Sequence, residues 1–258
     1  MWPGRNQMKR IVKVLPFYEP RMWGGGDRLR DEFHYDTDVA PLGEVYNVVA
    51  LEGHADCEVP EMNMTLAQLY KKYPQWFECD TEELPVRVNI LDPMADLSIQ
   101  IHPDDDFARQ YNGGRGKPEA WVILDTPEDG TIEFGHHAKN REEFVEWTEN
   151  REWDKLLRYL KAEKDGFIDI PAANEFGIKV TRYWDEPGLY TLIRLQVEEK
   201  GKFLHDRFAF YTCVKGEGTI GGVYIRQGET VLVPAHMGWM EMEGNMDLFL
   251  ASYRNENI

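Results

Sequence analysis

Short apolar stretches bounded by Gly, Pro, Asp or Asn recur along this whole chain, and they leave it little to fold into except many short strands. They lie at 10–15, 44–50, 86–91, 120–124, 131–134 and 167–170, then at 189–197, 209–214, 230–233 and 248–251. Runs of this length and spacing suggest a sandwich or barrel. Two segments read instead as helical. In 65–73, Leu66, Leu69, Tyr70 and Tyr73 fall at helical spacing, with Thr65 as N-cap and Pro74 beyond the end. In 140–160, Phe144, Trp147, Trp153, Leu156, Leu157 and Leu160 suggest two helices broken near 148–151. Both segments sit between strand-rich stretches, so they read as helical insertions near 65–77 and 140–160. The segments 163–172 and 226–235 each comprise a turn, a short strand and then Pro-Ala, a repeat that points to two related β-units.

Composition narrows the class. Of 258 residues, 42% are hydrophobic and 12% aromatic, which supports a globular core. No apolar run approaches the ~20 residues of a membrane helix, and the first eight residues lack the apolar stretch of a signal peptide. The expectation is a cytoplasmic protein with no membrane partner. Cys57, Cys79 and Cys213 are odd in number and far apart, which argues against a disulfide framework and a thiolate zinc site. A net charge of −17 disfavours nucleic acid. It also requires any phosphorylated ligand to be held by a local positive cluster.

The chemistry concentrates in Leu97-Ser98-Ile99-Gln100-Ile101-His102-Pro103-Asp104-Asp105. If this is a strand, Leu97, Ile99 and Ile101 face one side while Ser98, Gln100 and His102 face the other. Pro103 ends it, because proline cannot donate to a ladder. An amide oxygen and an imidazole two residues apart look like half of a metal site. Fifteen residues after His102, Lys117 and Glu119 share a face by the same alternation. A lone Gln-x-His is more often an ordinary half-exposed strand; the carboxylate and cation in the second segment favour the functional reading.

These motifs, L-S-I-Q-I-H-P-D-D at 97–105 and G-K-P-E-A-W at 116–121, closely resemble those of type I phosphomannose isomerases, zinc enzymes of the cupin superfamily. Further likeness lies in Arg21-Met-Trp-Gly-Gly-Gly26, in Gly43-Glu44-Val-Tyr46, in 84–92 and in the turn-strand units at 214–220 and 228–235. The resemblance implies a mainly β fold of two cupin-like (jelly-roll) β-barrels with a small helical insertion. Residues 8–180 would form the metal-binding domain and 181–258 a metal-free one. It implies an aldose–ketose isomerase interconverting mannose 6-phosphate and fructose 6-phosphate. One zinc ion (Zn2+) would be bound by Gln100, His102 and Glu119, with Lys117 assisting proton transfer and Ser98 contacting the substrate phosphate. Imidazole and carboxylate suit zinc, and a neutral amide oxygen leaves it more Lewis acidic than a second carboxylate would. A cation beside Lys117 should lower its pKa toward catalytic range. Oligomeric state is not readable.

The chain also departs from that family. The family completes its zinc site with a histidine in I-P-A-G-T-x-H-A; here 170–177 read Ile-Pro-Ala-Ala-Asn-Glu-Phe-Gly. Counting from Pro171 puts Phe176 at the histidine position, and a deletion puts Asn174 or Glu175 there. Asn89 stands where the family carries a lysine, and several dozen family residues have no counterpart near Asn174. The chain is either a shortened variant, with three ligands and Glu175 as a substitute, or a sequence lacking an internal segment. The alternative function is a non-catalytic or altered sugar-binding cupin. Other candidates read as bland. His136 and His137 are adjacent, so at most one joins a site; His54 and Cys57 lack partners; His205 and His236 lie in a unit without a metal motif. The glycine-rich stretches 112–116 and 23–26 read as loops.

Overall fold

A computed structural model of the chain describes residues 9–111, 114–164 and 173–255, without the side chains of 173–175. The chain divides into two compact units, one formed by 1–97 with 170–258 and the other by 98–169. The first unit is built on an eight-stranded antiparallel sheet. Its order runs Val12–Val14, Thr230–Val233, Ala209–Ile220, Trp239–Tyr253, Tyr190–Leu204, Ile178–Asp185 and Ala173–Glu175, with Val223–Arg226 paired beside Ala209–Ile220. The two 15-residue strands Tyr190–Leu204 and Trp239–Tyr253 pair along their whole length, from Tyr190 opposite Tyr253 to Leu204 opposite Trp239.

Alternation explains the register. Thr191, Ile193, Leu195 and Val197 are buried while the residues between them are half-exposed. A one-residue slip would turn this whole set toward solvent. Ile193, Leu195, Ile220, Ile225, Met242 and Leu248 belong to one hydrophobic core. A second core gathers Val12, Val14, Phe208, Phe210 and Leu232 with Val48, Leu66, Leu69, Trp76 and Phe77. Thr230–Val233 is therefore buried on both faces, which is why it reads as an unbroken apolar run without alternation. Burial of each such Leu, Val or Phe contributes on the order of 1.5–3 kcal/mol.

The second core is closed by a three-stranded sheet, Phe17–Pro20, Leu42–Val48 and Val88–Leu91, and by two short helices. Helix Leu66–Lys72 starts as its sequence predicts: the Thr65 hydroxyl accepts from Gln68 N while the Gln68 side chain accepts from Thr65 N, a complete capping box. Pro74 does more than stop this helix. It occupies the first turn of the next, Pro74–Phe77, where its missing N–H costs nothing and Trp76 and Phe77 turn into the core.

The architecture is mainly β, as the strand pattern predicts. The compact units run across the expected boundary between 180 and 181. Strand Val12–Val14 hydrogen-bonds Thr230–Val233, and Ile178–Asp185 spans the boundary itself. Long-range pairing of this kind leaves no local mark in the sequence.

The unit 98–169 corrects the second helical expectation. Helices Arg141–Glu149 and Trp153–Leu156 form, separated at Asn150 and Arg151, the latter at φ 57°. Residues 157–160 are not helical. Leu157–Lys161 is a strand paired antiparallel with Thr131–His136, because a waiting strand edge supplies backbone partners that the helical spacing of Leu156, Leu157 and Leu160 does not reveal. The apolar stretch at 167–170 lies outside the described residues. Among the described residues, no helix is long and apolar enough to cross a membrane.

Candidate active site

Segments 98–105 and 116–121 meet within the unit 98–169, and the residues between the motif positions explain how. The Asp104 carboxylate accepts from Phe107 N at 2.8 Å and so caps helix Asp105–Tyr111. The Asp105 carboxylate accepts from Gly116 N at 2.7 Å, and Pro103 O accepts from Lys117 N at 3.1 Å. Gly116 has to be glycine for steric reasons. A Cβ there would lie 2.8 Å from Asp104 C and 2.9 Å from both Asp105 N and Pro103 O, all backbone atoms. The Asp-Asp pair and the glycine therefore clamp one motif to the other. Sequence reasoning missed this short helix, although Asp104 ahead of two first-turn aspartates is an N-cap signal.

The expected strand geometry is not observed. Neither 97–102 nor 120–124 belongs to a strand, and Ile99 and Ile101 are 54% and 78% exposed. Their alternation is real, but among the described residues no strand pairs with the segment to turn it into a packed face.

The clamp brings three of the five predicted residues together. Lys117 Nζ lies 2.8 Å from Glu119 Oε2 and 3.3 Å from His102 Nε2, and those two acceptor atoms are 3.8 Å apart. The other Glu119 oxygen, Oε1, accepts the indole N–H of Trp121. Gln100 and Ser98 pair with each other, Gln100 Nε2 donating to Ser98 Oγ at 2.8 Å. Burial pushes the Glu119 carboxyl up. The hydrogen bonds from Lys117 and Trp121 and the charges of Lys117 and His102 outweigh this and hold it below the usual carboxylate range.

Fit to a metal ion can be judged from the donors. The Lys117 ammonium stands at the point where an imidazole nitrogen and a carboxylate oxygen converge, so this pair already holds a cation. Tetrahedral zinc with bonds of ~2.0–2.1 Å needs donors about 3.3 Å apart, which asks His102 Nε2 and Glu119 Oε2 to close by about half an ångström. The donor chemistry fits. Among the described residues, no group of three or more His, Cys, Asp and Glu is gathered.

The other sequence candidates separate cleanly. Phe176 is a turn residue: with Gly177, at φ 47° and 86°, it closes the hairpin between Ala173–Glu175 and Ile178–Asp185. Its ring packs edge-on against Trp239 at 4.9 Å beneath Lys202. The side chains of Asn174 and Glu175 lie outside the described residues. His236 stands between two carboxylates, Asp206 Oδ1 at 2.9 Å and Glu78 Oε2 at 2.7 Å. His205 is buried, and this burial, with Arg207 nearby, pushes its pKa down to about 4.

The first unit carries a polar cluster of its own. Register places Glu19, Glu44, Tyr46 and Asn89 on facing positions of the three-stranded sheet. Arg21 binds Glu44 through Nε at 2.7 Å and Nη2 at 2.6 Å, and it reaches Glu19 and the Tyr46 hydroxyl at 3.0 Å. Asn89 Nδ2 donates to Glu44 Oε1 at 2.5 Å. Glu44 is buried with both oxygens engaged, so Asn89 completes the solvation of a carboxylate already paired with arginine. Gly24 and Gly43 permit this: a Cβ on Gly24 would lie 2.4 Å from Gly43 Cα, so any side chain would lift the Arg21 loop off the sheet.

Residues 11–131 match the family described as phosphomannose isomerase type I, catalytic domain. The probable mannose-6-phosphate isomerase GmuF of Bacillus subtilis is 38% identical over 170 residues, covering 64% of this chain and 53% of that protein. Mannose-6-phosphate isomerase ManA of the same organism is 33% identical over 170 residues, covering 63% and 52%. The chain thus spans about half the length of the curated relatives it matches. The crystal structure of the mannose 6-phosphate isomerase from Bacillus subtilis superposes with a TM-score of 0.86 at 20% identity, covering 93% of this chain and 99% of that one. A putative mannosephosphate isomerase from Archaeoglobus fulgidus gives 0.70 at 14%, covering 98% and 100%. At such identities these structures establish the fold, a mainly β, cupin-type one.

Proposed function

We propose that this chain, related through residues 11–131 to the catalytic domain of the type I phosphomannose isomerases, is a zinc-dependent aldose–ketose isomerase acting on mannose 6-phosphate and fructose 6-phosphate. The observation that carries the reading is the convergence of His102 Nε2 and Glu119 Oε2 on the ammonium of Lys117. Gln100, His102 and Glu119 would hold the zinc. When bound, zinc supplies a Lewis acid for the carbonyl of the open-chain sugar. With the metal in its place between His102 and Glu119, Lys117 Nζ would act as the free amine: it would take the proton from C2 of the aldose and return it to C1 of the enediol, while the proton of the C2 hydroxyl passes to the C1 oxygen. Ser98, whose hydroxyl is held by Gln100, would receive the phosphate in a chain whose overall charge repels it.

A second reading is a sugar-binding cupin that has lost turnover. Phe176, an exposed turn residue standing where the fourth ligand is expected, favours it. A coupled isomerase assay with and without chelator separates the two. We expect turnover of mannose 6-phosphate that is lost with the metal and restored by zinc. Full turnover after complete metal removal refutes the zinc role, and calorimetric sugar binding without isomerisation selects the second reading. Glu119→Ala should abolish both zinc binding and turnover.

A further inference from the structure

We infer that Trp121 is a positioning residue for Glu119, its indole N–H holding one carboxylate oxygen so that the other faces the cation; this rests on the isomerase reading above. The Glu119 carboxylate divides its labour in space. Oε2 faces Lys117 at 2.8 Å and His102 at 3.8 Å, while Oε1 accepts from Trp121 Nε1. A free carboxylate offers about four lone-pair directions and turns readily about its last torsion. An indole N–H is a donor only, so it cannot compete with Glu119 for a cation, and binding it at Oε1 selects the orientation that presents Oε2. The ring is stiff, with two torsions, and it follows Glu119 by two residues, so the tether is short. Outer partners of this kind hold metal ligands in place elsewhere, at a cost of roughly 10–100-fold in metal affinity when removed.

The test compares metal-stripped parent, Trp121→Phe, Trp121→His and Glu119→Ala. Zinc affinity is read by competition with a chromophoric chelator, and kcat and KM for mannose 6-phosphate are read at saturating zinc. Trp121 is half-exposed, so its substitution leaves the folded core untouched. Trp121→Phe, which keeps a ring and loses the donor, should bind zinc about 10–100-fold more weakly with KM for the sugar unchanged. Trp121→His, which keeps a ring N–H, should recover part of that affinity. Parent-like zinc affinity in Trp121→Phe overturns the inference. An equal loss in both ring variants assigns the effect to indole bulk and also overturns it. A parent that binds no zinc, or Glu119→Ala binding as tightly as the parent, is a different result: it removes the zinc-site reading on which the inference stands.

Discussion

Gly116→Ala should damage the site more than it damages the fold. The alanine Cβ would sit 2.8–2.9 Å from Asp104 C, Asp105 N and Pro103 O. None of these atoms can swing away, since all are backbone, and ordinary contact begins at about 3.4 Å. Relief therefore requires 116–117 to move roughly half an ångström away from 103–105. The Lys117 N to Pro103 O and Gly116 N to Asp105 Oδ1 bonds that clamp the motifs span this same interface. Overpacking costs typically ~1–3 kcal/mol, a loss of a few degrees in melting temperature. Its effect on chemistry is larger, because a 1 Å misplacement at a reacting centre can cost about 10²-fold; half of that displacement predicts about a tenfold fall in kcat/KM. The assay is isomerase turnover beside a thermal melt. Gly114→Ala is the control: it alters a glycine two residues away, whose added Cβ meets nothing within 4 Å, and it should leave both readouts unchanged. Parent-like kcat/KM and melting temperature in Gly116→Ala refute the clamp.

Two further outcomes test the first unit. Thr65→Ala removes the capping box of Leu66–Lys72 and should cost ~1 kcal/mol in chemical denaturation; because Leu66 and Leu69 lie in the core, an unchanged midpoint contradicts the cap's role. Hydrogen bonds to Asp206 and then Glu78 raise the pKa of His236. The stability this contributes is present in full below the unfolded value of about 6.5 and is lost as pH rises through the raised folded value. Glu78 is also 3.8 Å from Lys9, and the cluster is solvent-facing, so the effect is below about 1 kcal/mol. The melting-temperature gap between parent and His236→Gln should shrink from pH 6 to pH 9; a gap that widens has the wrong sign and removes the ion-pair account.

What could be read in advance was whatever a few consecutive residues decide. Thr65 and Gln68 cap a helix across three residues. The alternation at 190–197 specifies which side chains face the core, and neighbouring 209–214 and 230–233 read as strands because apolar density alone identifies them. Gln100, His102, Lys117 and Glu119 stood out as candidates because their residue types and spacings are unusual together. The failures are as informative. Leu157–Lys161 satisfies helical spacing and became a strand because Thr131–His136 lay beside it. Ile99 and Ile101 alternate like strand residues and stay exposed, with no strand among the described residues paired to them.

The sequence by itself determined the strand-rich class, the capped helix at Thr65 and the set of residues that are candidates for chemistry. Each follows from local sterics, hydrogen bonding or residue type. Only the tertiary structure decided that Val12–Val14 closes against Thr230–Val233, that Asp104, Asp105 and Gly116 clamp the two motifs, and that Trp121 shares Glu119 with Lys117. Those arrangements depend on which hydrogen-bonding groups, backbone and side chain, the fold brings within reach of one another once the local elements have formed.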